Sequence, residues 1–97
     1  MRVSTGEVSD ILPTTASISG YMVSDGERMK KYGHCYARDP DPTILDKKTE
    51  SGTTIGVGTV TSFLLNLEPG TRYFVRAYLS SNNTTVYGRE ISFSTLP

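Results

Sequence analysis

Alternation with a period of two, repeated in short stretches between Gly, Pro, Asn and Asp, most restricts what this chain can fold into, because successive side chains on a strand point to opposite faces. No window sustains a helical period. Thirteen Thr, eleven Ser and six Tyr against three Ala in 97 residues make a strand-forming mixture and a poor helix-forming one. Short strands at this spacing predict one all-β domain, a sandwich or barrel.

Seven strands can be read. The first runs from Val3 to Val8, ending near Asp10, and the second covers Ala16 to Val23 with Ile18, Gly20 and Met22 on one face. The third, Lys31 to Arg38, stops at Asp39-Pro40-Asp41-Pro42, where two backbone donors are missing and two φ angles are fixed. A short edge strand is expected near Lys47 to Glu50, and a fifth strand over Thr59 to Leu65 puts Phe63 and Leu65 on one face. Arg72 to Ser80 turns Tyr73, Val75, Ala77 and Leu79 to the core. The seventh, Val86 to Ser94, carries Ile91 and Phe93 inward after the turn residues Ser81-Asn82-Asn83-Thr84-Thr85. Pairing across that turn sets Arg76 opposite Glu90, Tyr78 opposite Gly88, Val75 opposite Ile91 and Tyr73 opposite Phe93. Strict alternation would bury Arg89, so a bulge near Gly88 or a rim position is expected.

Ten Lys plus Arg balance ten Asp plus Glu, which removes the electrostatic footprint of a general nucleic-acid or anionic-membrane binder. Ile, Leu, Val and Phe make up 22 of 97 residues, just above the roughly 20% needed for a core. That suffices for one thin core and not for a deep catalytic pocket as well. No apolar run approaches the ~18 residues of a membrane span. The first six residues lack the apolar stretch of a signal peptide, which leaves the compartment open. The single cysteine, Cys35, forms no internal disulfide and is expected to be buried and chemically quiet.

Few residues suggest chemistry. His34 adjoins Cys35, but strand neighbours point to opposite faces and form neither a dyad nor a chelate. The same single histidine would have to serve any Ser/His/Asp triad, so no catalytic set is expected. Asp39, Asp41 and Asp46 offer oxygen to Ca²⁺, yet their spacing matches no EF-hand loop and the prolines between them suggest a stiff, solvated connection. Gly52, Gly56 and Gly58 lack the order and context of a phosphate cradle. Asn82-Asn83-Thr84-Thr85 holds two overlapping glycosylation sequons, and Lys30-Lys31 and Lys47-Lys48 read as guards of sheet edges. No cofactor or metal is expected.

Register suggests one surface. With Cys35 and Ala37 inward, Tyr32, His34, Tyr36 and Arg38 point outward beside Phe74, Arg76 and Tyr78 of the neighbouring strand. Such an aromatic and basic platform suits sugar rings or a protein partner; its pairs also serve simply to stabilise a solvent face.

Leu67-Glu68-Pro69-Gly70-Thr71-Arg72-Tyr73 resembles the L-x-P-G-T-x-Y signature of fibronectin type III domains, and Val75-Arg76-Ala77-Tyr78 continues the likeness. Gly33-His34-Cys35-Tyr36 with Pro40-Asp41-Pro42-Thr43, and Tyr87-Gly88 before Glu90 to Thr95, resemble the bacterial branch found in surface and secreted proteins. The resemblance implies a seven-stranded antiparallel immunoglobulin-like β-sandwich. In it the Tyr73 hydroxyl ties down a corner built from Leu67, Pro69 and Gly70. The family's core Trp is missing, with Gly20 at about its place, so another bulky group must fill that volume. Without an Arg-Gly-Asp triplet, integrin binding does not carry over.

The implied function is that of a noncatalytic spacer, protein-interaction or adhesion module, residues 1–97 being one module of a multidomain extracellular or cell-surface bacterial protein. Its partners would be neighbouring domains or other surface proteins, with no nucleic acid and no membrane insertion. The alternative is a glycan-binding accessory module of a polysaccharide-degrading enzyme, with Tyr32, Tyr36, Phe74 and Tyr78 as stacking residues. The absence of Trp counts against that alternative.

Overall fold

A computed structural model describes residues 2–23, 31–50, 57–80 and 84–97. Among them lie β1 (Arg2–Ser9), β2 (Ala16–Val23), β3 (Lys31–Ala37), β4 (Lys47–Lys48), β5 (Val57–Leu64), β6 (Arg72–Ser80), β7 (Thr85–Tyr87) and β8 (Ile91–Ser94), and no helix. One sheet has the order β1-β2-β5; the other runs β4-β3-β6-β7, with β8 also on β6. All pairings are antiparallel. Residues 24–30, the glycines at 52 and 56 and residues 81–83, where a turn is expected, lie outside the described residues.

The expected seventh strand is two strands. β7 pairs Tyr78 with Tyr87, whereas β8 pairs Val75 with Ile91 and Tyr73 with Phe93, so one extra residue is accommodated between them. Tyr78 therefore faces Tyr87 and not Gly88. β1 explains where the break falls. Thr5 Oγ1 accepts the Ala77 amide proton at 3.0 Å, and the Gly88 amide donates to the Ala77 carbonyl at 2.9 Å. A side chain at Gly88 would begin only 2.6 Å from Thr5 Oγ1 and 2.8 Å from the Thr5 nitrogen. The bulge thus lets β1 approach the second sheet and satisfy a buried backbone donor.

The core lies between the sheets in two clusters. Ala16, Ile18, Tyr36, Leu64, Leu67, Tyr73, Val75 and Phe93 form one, and Met22, Val60 and Leu79 form the other. β2 and β6 carry their apolar sets inward as their alternation requires. In β5 the inward residues are Val60, Ser62 and Leu64, opposite Gly20, Ile18 and Ala16. Phe63 and Leu65 do share a side, but it faces solvent; they are 65% and 55% exposed.

The corner before β6 closes through Tyr73, which is 6% exposed and whose hydroxyl accepts the Glu68 amide proton at 2.8 Å. Gly70 turns the chain with φ of 60°, a conformation open to glycine at little cost. Its amide donates to the Leu96 carbonyl at 2.8 Å. Tyr73→Phe leaves the Glu68 amide without this acceptor, and a loss of about 1 kcal/mol is expected. The check is the urea midpoint at unchanged slope; equal midpoints would remove the corner's energetic role.

Candidate functional site

β3 turns the opposite way from its sequence expectation. It pairs with β6 so that Tyr32, His34 and Tyr36 stand opposite Leu79, Ala77 and Val75, the core set of that strand. Tyr36 is buried in the larger cluster and Tyr32 packs against the smaller one. Cys35 and Ala37, opposite Arg76 and Phe74, take the outer face. Placing two tyrosines inward buries far more apolar surface than Cys and Ala would, and that difference sets the register.

The seven-residue platform therefore does not exist. Tyr32, His34 and Tyr36 point between the sheets, and Arg38 sits past the strand's end, 2.6 Å from Glu68 in an exposed ion pair. Phe74, Arg76 and Tyr78 do project outward, yet each is covered. The Arg72 guanidinium lies 5.1 Å above the Phe74 ring. Arg76 stacks 4.1 Å over Tyr87 and donates from Nε to the Pro42 carbonyl at 2.6 Å. Tyr78, only 1% exposed, stands opposite Gly33 and donates to the Thr49 carbonyl at 2.7 Å.

The cover is the segment after β3. Pro42 is fully buried, the Asp41 amide donates to the Glu90 carboxylate, and the Ile44 amide donates to the Tyr87 hydroxyl at 3.1 Å. Pro42, Thr43 and Ile44 thus form a strap lying on the sheet, while Asp39, Pro40 and Asp41 before them stay exposed as a solvated connection. Asp46 Oδ2 accepts the Thr43 amide proton at 2.9 Å and closes its turn. No cluster of three metal-ligating side chains occurs among the described residues. Cys35, 0% exposed beneath the strap, has its thiol pushed up to about 11 by burial, with Arg76 opposing. A polar thiol reagent is expected to label it on the order of 100-fold or more slowly than an unfolded control. Equal rates would show that the strap does not seal the sheet.

Between the two core clusters lies a polar layer centred on His34, 0% exposed. Nε2 lies 2.9 Å from the Ser19 carbonyl, which only accepts, so Nε2 carries the proton. Nδ1 then accepts from Ser62 Oγ at 2.7 Å, Ser62 Oγ accepts from Thr49 Oγ1 at 2.9 Å, and Thr49 Oγ1 accepts the His34 amide proton at 2.9 Å. The imidazole also fills the space beside Gly20, where an added Cβ would sit 3.2 Å from Nε2. His34 is the bulky group that fills the volume beside Gly20.

Burial lowers the His34 pKa more than the Ser19 bond raises it. The unfolded state therefore binds this proton more readily, so the contribution is complete above about pH 6.5 and declines as pH falls below it. Melting temperature is expected to drop from pH 7.5 to 5.5; a rise would contradict a neutral buried imidazole.

One recess is lined by polar groups from three separated segments. It is a half-open cleft of about 280 Å³ between the end of β3, the start of β4 and the Tyr73 corner. The ring planes of Tyr36 and Tyr73 are inclined at 67° in an edge-to-face contact with centroids 6.5 Å apart, and Arg38 and Glu68 stand beside Asp46, Lys47 and Asn66. The ion pair with Glu68 holds the Arg38 pKa above its ordinary value. Of the expected surface residues only Tyr36 and Arg38 are here. The sequence suggests calcium for Asp46 and edge protection for Lys47, and sets Glu68 only within the corner motif; no sequence spacing links them.

No protein-family model matches the chain, and no curated protein matches its sequence. Solved structures do. The sensor domain of the anti-sigma factor RsgI4 from Pseudobacteroides cellulosolvens superposes with a TM-score of 0.76 at 18% identity, covering 98% of this chain and 74% of that one. A shorter form of that domain gives 0.74 at 18% identity, covering 98% and 93%. A fibronectin type III domain from the human KIAA0970 protein gives 0.65 at 14% identity, covering 97% and 72%. With two antiparallel sheets, the Tyr73 corner and these matches, the chain has the fibronectin type III-like β-sandwich fold.

Proposed function

We propose that this domain is a noncatalytic linking and protein-interaction module of a larger extracellular or cell-surface bacterial protein. The observation that carries the reading is the placement of the two ends on a body 43 Å long and about half as wide. Arg2 pairs with Val23 at one end of the first sheet, while Ser94 pairs with Arg72 beside the Leu67 corner at the other. Copies or neighbours joined through such ends extend and do not fold back. The zero net charge suits a segment that neither repels nor attracts its neighbours strongly. The single imidazole is sealed between the sheets, where no substrate reaches it, which supports a noncatalytic role. Likeness to the sensor domain of a bacterial anti-sigma factor supports the bacterial setting.

Two copies of residues 1–97 joined head to tail test the geometry by small-angle X-ray scattering. The reading expects a maximum dimension near twice the 43 Å of one copy. A pair folded side by side, little longer than a single copy, would contradict it.

A further inference from the structure

We propose that the cleft beside the Tyr73 corner is a carbohydrate subsite that takes one pyranose unit of a neutral glycan. This goes beyond the linking role, and the two stand or fall separately.

The lining decides the ligand class. Two cations, Arg38 and Lys47, and two anions, Asp46 and Glu68, surround the recess, so its formal charge is zero and a net-charged ligand gains little there. Adjacent sugar hydroxyls donate and accept at once. They match an Arg with five donors beside carboxylates with unused lone pairs, and the Arg38–Glu68 pair at 2.6 Å presents both kinds of group together. Tyr36 and Tyr73, 7% and 6% exposed, close the floor of the recess. That floor is held in advance. Tyr73 is fixed by the Glu68 amide at 2.8 Å and stacks on Phe93 at 5.9 Å, so little ordering is left to oppose binding. The turn that carries Asp46 and Lys47 is fixed because the Asp46 amide donates to the Thr43 carbonyl and Asp46 Oδ2 accepts the Thr43 amide proton, each at 2.9 Å. The volume, about 280 Å³, lies just below the range of small-molecule sites, roughly 300 to 1,000 Å³. It holds one ring and not a long chain.

The test is an amide-shift titration of the intact 97-residue chain with cellotetraose, xylotetraose, mannotetraose and laminaritetraose, and with tetragalacturonic acid as the charged control. At least one neutral sugar is expected to shift the amides of Arg38, Lys47 and Glu68 with a dissociation constant on the order of millimolar. Arg38→Ala and Lys47→Ala, both at exposed positions, are expected to weaken it about 10-fold while melting as wild type, and Tyr21→Ser on the other sheet is expected to leave it unchanged. No shift at these amides from any neutral sugar at 20 mM would overturn the subsite. So would a response to the acidic sugar alone, or equal binding by both cleft variants. A negative titration beside an extended tandem pair removes the subsite and keeps the linking role; a positive titration beside a folded-back pair does the reverse.

Discussion

His34→Ala is expected to destabilise the fold by about 3–5 kcal/mol, the range for truncating a large buried side chain. Two losses combine. The imidazole volume beside Gly20 and between the core clusters becomes a cavity, and the Ser19 carbonyl loses the donor now at 2.9 Å. Ser62 Oγ at the same time loses its acceptor at 2.7 Å, and an unmatched buried polar group costs about 1–3 kcal/mol. Domains of this size are stable by roughly 5–15 kcal/mol, so much of the margin should go. Urea unfolding measures it. A midpoint unchanged from wild type would mean that His34 is not between the sheets.

Gly33→Ala is expected to cost about 3 kcal/mol, at the upper end of overpacking penalties. The added methyl group would meet the Thr49 carbonyl oxygen, with Thr49 Oγ1 only 2.6 Å away and the Thr49 carbonyl carbon at 3.0 Å. Those atoms cannot simply retreat. Thr49 bonds the His34 carbonyl through its amide at 2.8 Å, receives the Tyr78 hydroxyl at 2.7 Å and anchors the Ser62 chain at 2.9 Å. Gly58→Ala is the comparison, because nothing lies within 4 Å of an added Cβ there. A similar loss at both positions would show that glycine flexibility, and not contact with Thr49, sets the effect.

The strands of this sandwich were legible because punctuation marks their ends: β2 and β6 occupy the spans their alternation indicates, and the Leu67–Tyr73 motif located the corner. β3 was not legible, for a physical reason. Alternation reveals a face only when the other face is wet, and here Gly33, His34, Cys35 and Tyr36 are all buried. The strap that buries the outer side begins at Pro42, the last residue of a run whose composition suggests solvent and whose first three residues are exposed. Its docking depends on Arg76, Tyr87 and Glu90, between 34 and 49 residues away. β5 misled similarly, since Phe63 looks like a core residue and Ser62 does not; Ser62 is inside because His34 needs a donor. The cleft was hidden for the same reason as any site assembled from distant segments: Glu68 fills a free position of the corner motif, and no spacing ties it to Asp46.

Everything proposed for the surface depends on β3 turning its even-numbered residues inward, and the imidazole nitrogens of His34 report this most directly. With ¹⁵N-labelled protein at pH 7.5, Nε2 is expected to show the shift of a protonated pyrrole-type nitrogen and Nδ1 that of an accepting pyridine-type nitrogen, with any titration displaced below the ordinary histidine value. Two averaged shifts moving together through a midpoint near the ordinary histidine value of about 6.5 would put His34 in solvent, restore the outward platform and contradict the β3 register.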